Sequence, residues 1–440
     1  MSRTIVLAYS GGLDTSVCVR WLTDRGWRVI AFMADVGGEA SSLAAGGTSS
    51  VGSPATANTS LPDRTLPARS PARTVPARSP APALIQRAKI AGAVKVVVKD
   101  LREEFAREYV LPALSAHAVY EGKYLLATAL SRPLIAKHLV EVAHAHGAQA
   151  VGHGCTGKGN DQVRFEVSIR ALDPSLQIVA PVREWEFRSR EDELTYAAAH
   201  RIPVDITKRS PYSIDQNLWG LSIEAGALED PWTEPPLDSF RWLRPPGKTP
   251  VRGATLTIGF RAGQPVSVNG RTMPLVKLIQ QLNTIGALHG VGRSDVIESR
   301  VVGIKSREVY EAPAAHILLE AHAELERLVL DRELLHFKQA MALKYAELVY
   351  YGLWFTPLKA ALDAFVRETQ RRISGTVRLT VQHGNCRVTG RASPHALYQR
   401  RLATYGEDDQ FDQRAAEGFI KLWGLPYERS MAGKARRSRG

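Results

Sequence analysis

Residues 4–9, Thr-Ile-Val-Leu-Ala-Tyr, stop at Ser10-Gly11-Gly12, and Leu13-Asp14-Thr15-Ser16 then opens a stretch with apolar residues at helical spacing. An apolar run this short reads as a buried strand, and the periodicity after it predicts a helix over 14–25, with Gly26 as its stop. Two adjacent glycines let the backbone reverse with positive φ and approach a ligand closely. The helix then turns its unpaired N–H groups and positive end toward whatever sits at the turn. Ser10, Thr15 and Ser16 add hydroxyls. A strand, a glycine turn and a helix in this order suit a phosphate chain. The G-x-x-x-x-G-K-[ST] spacing is absent, so this is not a Walker loop. The competing reading is a plain connection in which Asp14 or Thr15 caps the helix.

The same alternation continues. Strands are expected at 29–34, 95–98 and 150–152, and helices at 84–91, 101–120 and 130–146, the last closed by Gly147. Strands alternating with helices imply a parallel sheet covered on both faces. The second half changes character. Hairpins are expected at 254–268 and 376–390, with helices over 320–351 and 358–372, which together describe a separate α+β domain beginning near 175–210. A length of 440 residues is enough for two such cores.

Between Gly38 and Ala83 the chain is built from Ala, Ser, Thr, Gly, Pro and Arg and contains a tandem repeat, RTLPARSPA followed by RTVPARSPA. Such a composition buries too little apolar surface to offset its ordering entropy, so the segment is expected to be disordered. The formal charge of +13 raises nucleic acid as a partner. Segment 39–83 carries a net +2 and residues 428–440 a net +4, so nearly half the excess lies in those two stretches, and no nucleic-acid partner is expected. Three scattered cysteines, Cys18, Cys155 and Cys386, make neither a disulfide framework nor a metal site. No apolar run reaches the roughly 18 residues of a membrane span, and the first residues lack a secretory pattern. The expectation is a cytoplasmic protein without a membrane partner or bound structural metal.

A second glycine-rich loop follows the strand at 150–152: His153-Gly154-Cys155-Thr156-Gly157-Lys158-Gly159-Asn160-Asp161-Gln162-Val163-Arg164. Asn160, Asp161 and Arg164 supply an amide, a carboxylate and a bidentate cation. That set suits a zwitterionic amino acid, whose ammonium wants acceptors and whose carboxylate wants donors.

The first loop resembles the SGG-x-D-[ST]-[ST] loop of enzymes that cleave ATP between its α- and β-phosphates. AYSGGLDTS, YLLATALSRPLIAK (124–137), HGCTGKGNDQVRFE (153–166), PYSIDQNLWGLSIEAGALED (211–230), HGVGRSDVIESR (289–300), GIKSREVYE (303–311) and KYAELVYYGLWFTP (344–357) occur in the order typical of argininosuccinate synthases. The resemblance to that family implies an α/β fold. An N-terminal parallel-sheet nucleotide-binding domain of the ATP-pyrophosphatase (adenine nucleotide alpha hydrolase-like) type spans 1–175, interrupted at 38–83. An α+β synthetase domain spans 176–410, and a helical C-terminal segment with a basic tail spans 411–440, helical over 412–424 and unstructured after Tyr427.

The implied reaction joins citrulline to aspartate with ATP and Mg²⁺, through a citrullyl-adenylate, giving argininosuccinate, AMP and pyrophosphate. Carried over by position, Ala8, Tyr9, Ser10, Gly11, Gly12, Leu13, Asp14, Thr15, Ser16, Ala34 and Gly154 bind ATP. Thr156, Asn160 and Asp161 hold aspartate, and Tyr124, Thr128, Asn160, Arg164, Ser213, Ser222, Glu298 and Tyr310 hold citrulline. Asp14, Asp161 and Arg164 are the expected catalytic residues, and the family assembles as a homotetramer. Departures from the family's typical pattern are Gly37-Gly38 and the foreign segment where the family usually has Gly-Gln, Ala127 and Ala129 in the YLLATAL motif, Cys155 for Ala and Glu308 for Gly. The alternative is a catalytically impaired relative with a binding or regulatory role. Taken singly, Tyr124 and Tyr310 read equally well as core aromatics, and Glu298 as the surface partner of Arg300.

Overall fold

The computed structural model describes residues 3–37, 82–203 and 212–437, with side chains to residue 428. The expectation of disorder for 38–83 therefore lies outside the described residues, except that Pro82 and Ala83 open a helix.

β1 (Thr4–Ala8) is buried along its length, as a strand covered on both faces must be. It leads through the glycine turn into α1 (Leu13–Asp24), which ends at Gly26 with φ +81°. β2 (Arg28–Asp35), α2 (Pro82–Ala91), β3 (Lys95–Asp100), α3 (Ala127–Ala145), β4 (Ala150–Gly152), α4 (Asn160–Leu172), β5 (Gln177–Val179) and α5 (Arg190–Ala199) follow. The five strands form a parallel sheet in the order β3-β2-β1-β4-β5. The chain therefore leaves β1 toward β2 on one side and returns to β4 on the other. The crevice beyond the carboxyl ends of β1 and β4 is the switch point at which open α/β sheets bind ligands.

The expected helix over 101–120 is a composite: Arg102–Glu104, a π-helical stretch Phe105–Val110, and Leu111–Ala116. Pro112 cannot donate to the carbonyl four residues back, and the turn before it widens. The run ends at His117, left-handed at φ 53°, not at Tyr120.

The second half contains two antiparallel sheets. One is formed by β6 (Ser213–Asn217), β7 (Gly220–Glu224), β11 (Arg293–Ser299) and β12 (Lys305–Glu311) in the order β11-β12-β7-β6. The other contains both expected hairpins, β8 (Ala254–Arg261) with β9 (Gln264–Val268) and β13 (Gly375–Gln382) with β14 (Asn385–Ala392). These join through β8 and β13, with β10 (Arg271–Thr272) on the edge. The helix expected over 320–351 is two helices, α6 (Pro313–Val329) and α7 (Arg332–Tyr350). They separate where Asp331 caps the second by accepting from the Leu334 N–H at 3.0 Å. α8 (Pro357–Thr369) completes this part.

Residues 394–437 form a second compact unit. Its α9 (Ala415–Arg437) passes through Pro426 and well beyond Tyr427, so the tail expected to be unstructured is helical to Arg437. Residues 428–437 are mostly good helix formers, and their basic character does not oppose helix formation. No helix among the described residues is long and apolar enough to cross a membrane.

Candidate active site

The first loop is built from its own residues. Gly12 occupies the N-cap of α1 and no side chain caps the helix, so neither Asp14 nor Thr15 plays that role. The hydroxyls brace the turn from within: Ser16 Oγ donates to the Gly12 carbonyl at 2.7 Å and lies 3.0 Å from the Tyr9 hydroxyl, and Ser10 Oγ is 3.1 Å from Thr15 Oγ1. Gly11 takes φ +86°, and a Cβ on it would meet Leu84 Cδ2 at 2.7 Å. Arg87 donates from Nη1 to the Gly11 carbonyl at 2.6 Å. A carbonyl that would repel an anion is thereby turned onto a cation. Asp14 is exposed at the mouth, beside Glu193 of α5. Burial first, and then the charge of Asp14, push the Glu193 carboxyl up to about 8.

The second loop lies against the first. A Cβ on Gly154 would stand 3.0 Å from Thr15 Cγ2 and 3.5 Å from Cys18 Sγ, so the two glycine turns share one crevice. Ala34 is near the carboxyl end of β2, beside β1, on the same edge of the sheet. Gly159 occupies the N-cap of α4, again without a side-chain cap. Asp161, in the first turn, accepts from Arg132 Nε at 2.9 Å and Nη2 at 2.7 Å, and its other oxygen accepts from Arg164 Nη1 at 2.9 Å. Burial opposes the charge on Asp161, but Arg132 and then Arg164 outweigh it and hold the carboxyl below the usual range. Arg132 also pairs with Asp215 of β6.

A buried tyrosine–carboxylate cluster forms the wall. Glu298 is 1% exposed and accepts from the Tyr350 hydroxyl at 2.6 Å and the Tyr310 hydroxyl at 2.7 Å. Asn160 Nδ2 donates to the Tyr350 hydroxyl at 2.8 Å, while its Oδ1 accepts from the Val301 N–H at 2.9 Å. Arg164 Nε donates to the Tyr350 carbonyl at 2.8 Å, and its guanidinium lies 4.7 Å from the centre of that ring. Tyr124 stacks on Tyr310 at 4.1 Å, and its hydroxyl accepts from the Ala129 N–H at 3.2 Å.

Arg300 does not pair with Glu298, as the sequence suggested. It pairs with Glu224 at 2.8 Å and Glu308 at 3.2 Å. Glu308 also lies 2.8 Å from the Tyr310 hydroxyl, which has a single proton and faces Glu298 as well. Burial, then Glu298 and Glu224, push the Glu308 carboxyl up to about 8. A protonated Glu308 can donate to Tyr310 Oη while Tyr310 donates to Glu298, so each of the two contacts has its own proton.

Ser222 lies opposite Tyr310 across β7 and β12, and opposite Asp215 across β6 and β7. Ser213 is exposed and faces Glu224 in register. Thr156 is exposed in the second loop. Two buried polar atoms of the expected substrate residues, Thr128 Oγ1 and Arg164 Nη2, have no protein hydrogen-bond partner among the described residues. Buried polar groups are rarely left unpaired, so these two are open to a polar ligand or a water. Arg87, Arg132, Glu193 and Tyr350 were not singled out from the sequence, although Arg132 and Tyr350 lie inside motifs quoted above, and Arg300 was read only as a surface partner of Glu298.

Among proteins of known family, residues 4–53 and 81–203 match the profile described as "Arginosuccinate synthase N-terminal HUP domain", and residues 212–430 match "Arginosuccinate synthase C-terminal domain". The argininosuccinate synthase of Bacillus pumilus is 51% identical over 425 residues, covering 97% of this chain and 96% of that protein. The enzyme of Carboxydothermus hydrogenoformans is 49% identical over 428 residues, 97% of each chain. That of Rubrobacter xylanophilus is 50% identical over 427 residues, 97% of this chain and 95% of that one.

Proposed function

Because this chain belongs to the argininosuccinate synthase family and is a ligase, we propose that it joins citrulline to aspartate at the expense of ATP, through a citrullyl-adenylate. The observation that carries this reading is the close approach of Gly154 to Thr15, which brings both glycine turns within reach of one nucleotide.

The ureido oxygen of citrulline is a weak nucleophile, so the first step depends on holding it in line with the α-phosphorus. An oxygen–phosphorus bond forms there, and the bond to the β-phosphate oxygen breaks, releasing pyrophosphate. The open N-terminus of α1 and the backbone of 10–13 stabilise the phosphate charge. Glu298 with Tyr310 and Tyr350, and Arg164 with Thr128, offer acceptors and donors for the ammonium and carboxylate of citrulline. In the second step the aspartate amine attacks the activated carbon, a carbon–nitrogen bond forms, AMP leaves and the amine gives up a proton. Asp161, ionised between two guanidiniums, is the acceptor for the aspartate ammonium, with Asn160 before it in the first turn of α4 and Thr156 contributing from the loop that leads into that helix.

Hard oxygen donors at the mouth of the first loop fit Mg²⁺, which takes one or two carboxylates together with substrate phosphates. Asp14 and Glu193 would hold it, and it would supply neutralisation of phosphate charge. We further propose a cytoplasmic enzyme that assembles as a homotetramer. The exposed Phe419, Ile420, Leu422, Trp423 and Leu425 on α9 support assembly, since so many large apolar residues on one helix call for a partner.

Purified protein incubated with citrulline, aspartate and ATP is expected to release pyrophosphate and argininosuccinate together. Release no greater than that of a boiled control would refute the ligase reading.

A further inference from the structure

Arg300 is used by nothing in the mechanism above, yet its guanidinium bonds to four different residues around the site. It stands just after β11 with its side chain 14% exposed. Nε donates to Ser306 Oγ at 2.7 Å across the β11–β12 turn. Nη2 donates to Glu224 at 2.8 Å and Glu308 at 3.2 Å. Nη1 leaves this sheet and donates to the Lys158 carbonyl, in the second glycine loop, at 3.2 Å. The next residue continues the connection, because the Val301 N–H donates to Asn160 Oδ1 at 2.9 Å.

A planar guanidinium has its donors in a fixed fork. With Ser306, Glu224 and Glu308 fixing its plane, Nη1 is left to point one of its two N–H groups at the carbonyl two residues before Asn160. Lys158 itself is exposed; within the loop the Gly159 N–H reaches the Thr156 carbonyl at 3.2 Å, Gln162 Nε2 donates to the Gly157 carbonyl at 2.5 Å and the Cys155 N–H reaches His153 Nδ1 at 3.3 Å, and the Lys158 carbonyl between them is held by Arg300. A loop with three glycines loses much conformational freedom when it is ordered. A pin from the opposite sheet limits that freedom before substrate arrives.

We propose that Arg300 is a positioning residue for the aspartate step: it pins the loop 154–159 to the β11–β12 turn, so that Thr156, Asn160 and Asp161 meet aspartate already in place. This deepens the ligase reading and rests on it for the identity of the amino acid.

The test compares Arg300→Lys and Arg300→Ala with the wild type in three measurements. These are the KM for aspartate, the citrulline dependence of ATP–pyrophosphate exchange, and amide hydrogen exchange across 154–160 in the substrate-free enzyme. Lysine keeps a charge for Glu224 and Glu308 but cannot hold Ser306 and the Lys158 carbonyl at once. Arg300→Lys is expected to raise the aspartate KM about tenfold, the scale of one charge-assisted hydrogen bond. Its citrulline-dependent exchange is expected to stay within about twofold of wild type, since the adenylylation step keeps its partners. Amides 155–159 are expected to exchange faster while those of 10–16 do not change. Arg300→Ala is expected to impair both substrates, because it leaves Glu224 and Glu308 without the guanidinium that holds them.

Unchanged protection at 155–159 in both variants, with an unchanged aspartate KM, would overturn the proposal. So would an Arg300→Lys variant that loses citrulline rather than aspartate. If wild-type enzyme ligates nothing, the functional reading fails, and the hydrogen-exchange comparison still decides whether Arg300 pins the loop.

Discussion

The two glycine loops do similar work at neighbouring strand ends, but they are held in opposite ways. The first is braced by hydroxyls and carbonyls within residues 9–16, with Arg87 as a distant anchor on the Gly11 carbonyl. The second relies on partners far along the chain: Arg132 for Asp161, Tyr350 for Asn160 and Arg164, and the 300–301 turn for Lys158 and Asn160. The difference follows from the ligands. Every phosphate chain presents the same oxygens, so a backbone turn and a helix end suffice. An amino acid must be told apart by where its ammonium and carboxylate lie, and only side chains from several elements can fix both points.

If the second loop works through Asp161, disturbing it damages one half-reaction far more than the other. Asp161→Asn removes the charge that accepts the ammonium and leaves Arg132 and Arg164 without their shared anion. The expected loss in kcat/KM for aspartate is roughly a hundredfold, about 2.7 kcal/mol of transition-state stabilisation. Citrulline-dependent pyrophosphate exchange should fall far less. Equal losses in both assays would mean that Asp161 serves citrulline or the fold, and the contrast between the loops would fail.

The reciprocal experiment strikes the first loop. Arg87→Met keeps the aliphatic stem but takes the cation from the Gly11 carbonyl. ATP binding, measured directly by titration, should weaken by about tenfold, with the aspartate KM little changed. A shift in aspartate KM without one in ATP affinity would show that the two loops are not independently anchored.

The same contrast explains what could be read in advance. The parallel sheet and the phosphate turn were legible because their cause is local: an apolar run, two glycines and a helical period occupy residues 4–25. The hairpins at 254–268 and 376–390 were legible from alternation and turn residues. The sheet that carries Ser222, Glu298 and Tyr310 was not. β6, β7, β11 and β12 read SIDQN, GLSIE, RSDVIES and KSREVYE, where polar residues serve the site instead of marking a solvent face. Those residues came from the family resemblance alone. Arg132 escaped notice for a related reason: nothing within LSRPLIAK reveals that its partners are Asp161 and Asp215. The split at Asp331 and the π turn before Pro112 show the usual limit, that helical periodicity marks extent better than interruption.

The smallest expected effect concerns the tyrosine–carboxylate wall against the mouth of the first loop. Glu308 and Glu193 are both pushed up to about 8, the one beside Tyr310 and the other beside Asp14. An acid whose folded pKa is raised binds its proton more tightly in the native state than in the unfolded chain. The native state therefore holds more protons between the ordinary carboxylate range and about 8, and stability falls as pH rises through that window. Above it, an ionised Glu308 no longer donates to Tyr310 and stands as a second anion near Glu298. The citrulline KM should rise by about threefold between pH 7 and 9, with the aspartate KM nearly flat. Glu308→Gln, which keeps a donor at every pH, should flatten the citrulline profile, whereas Glu193→Gln should leave it in place and act on ATP. A citrulline profile that flattens in Glu193→Gln and not in Glu308→Gln would assign the titration to the phosphate mouth, and the proton chain Glu308–Tyr310–Glu298 would have no part in holding citrulline.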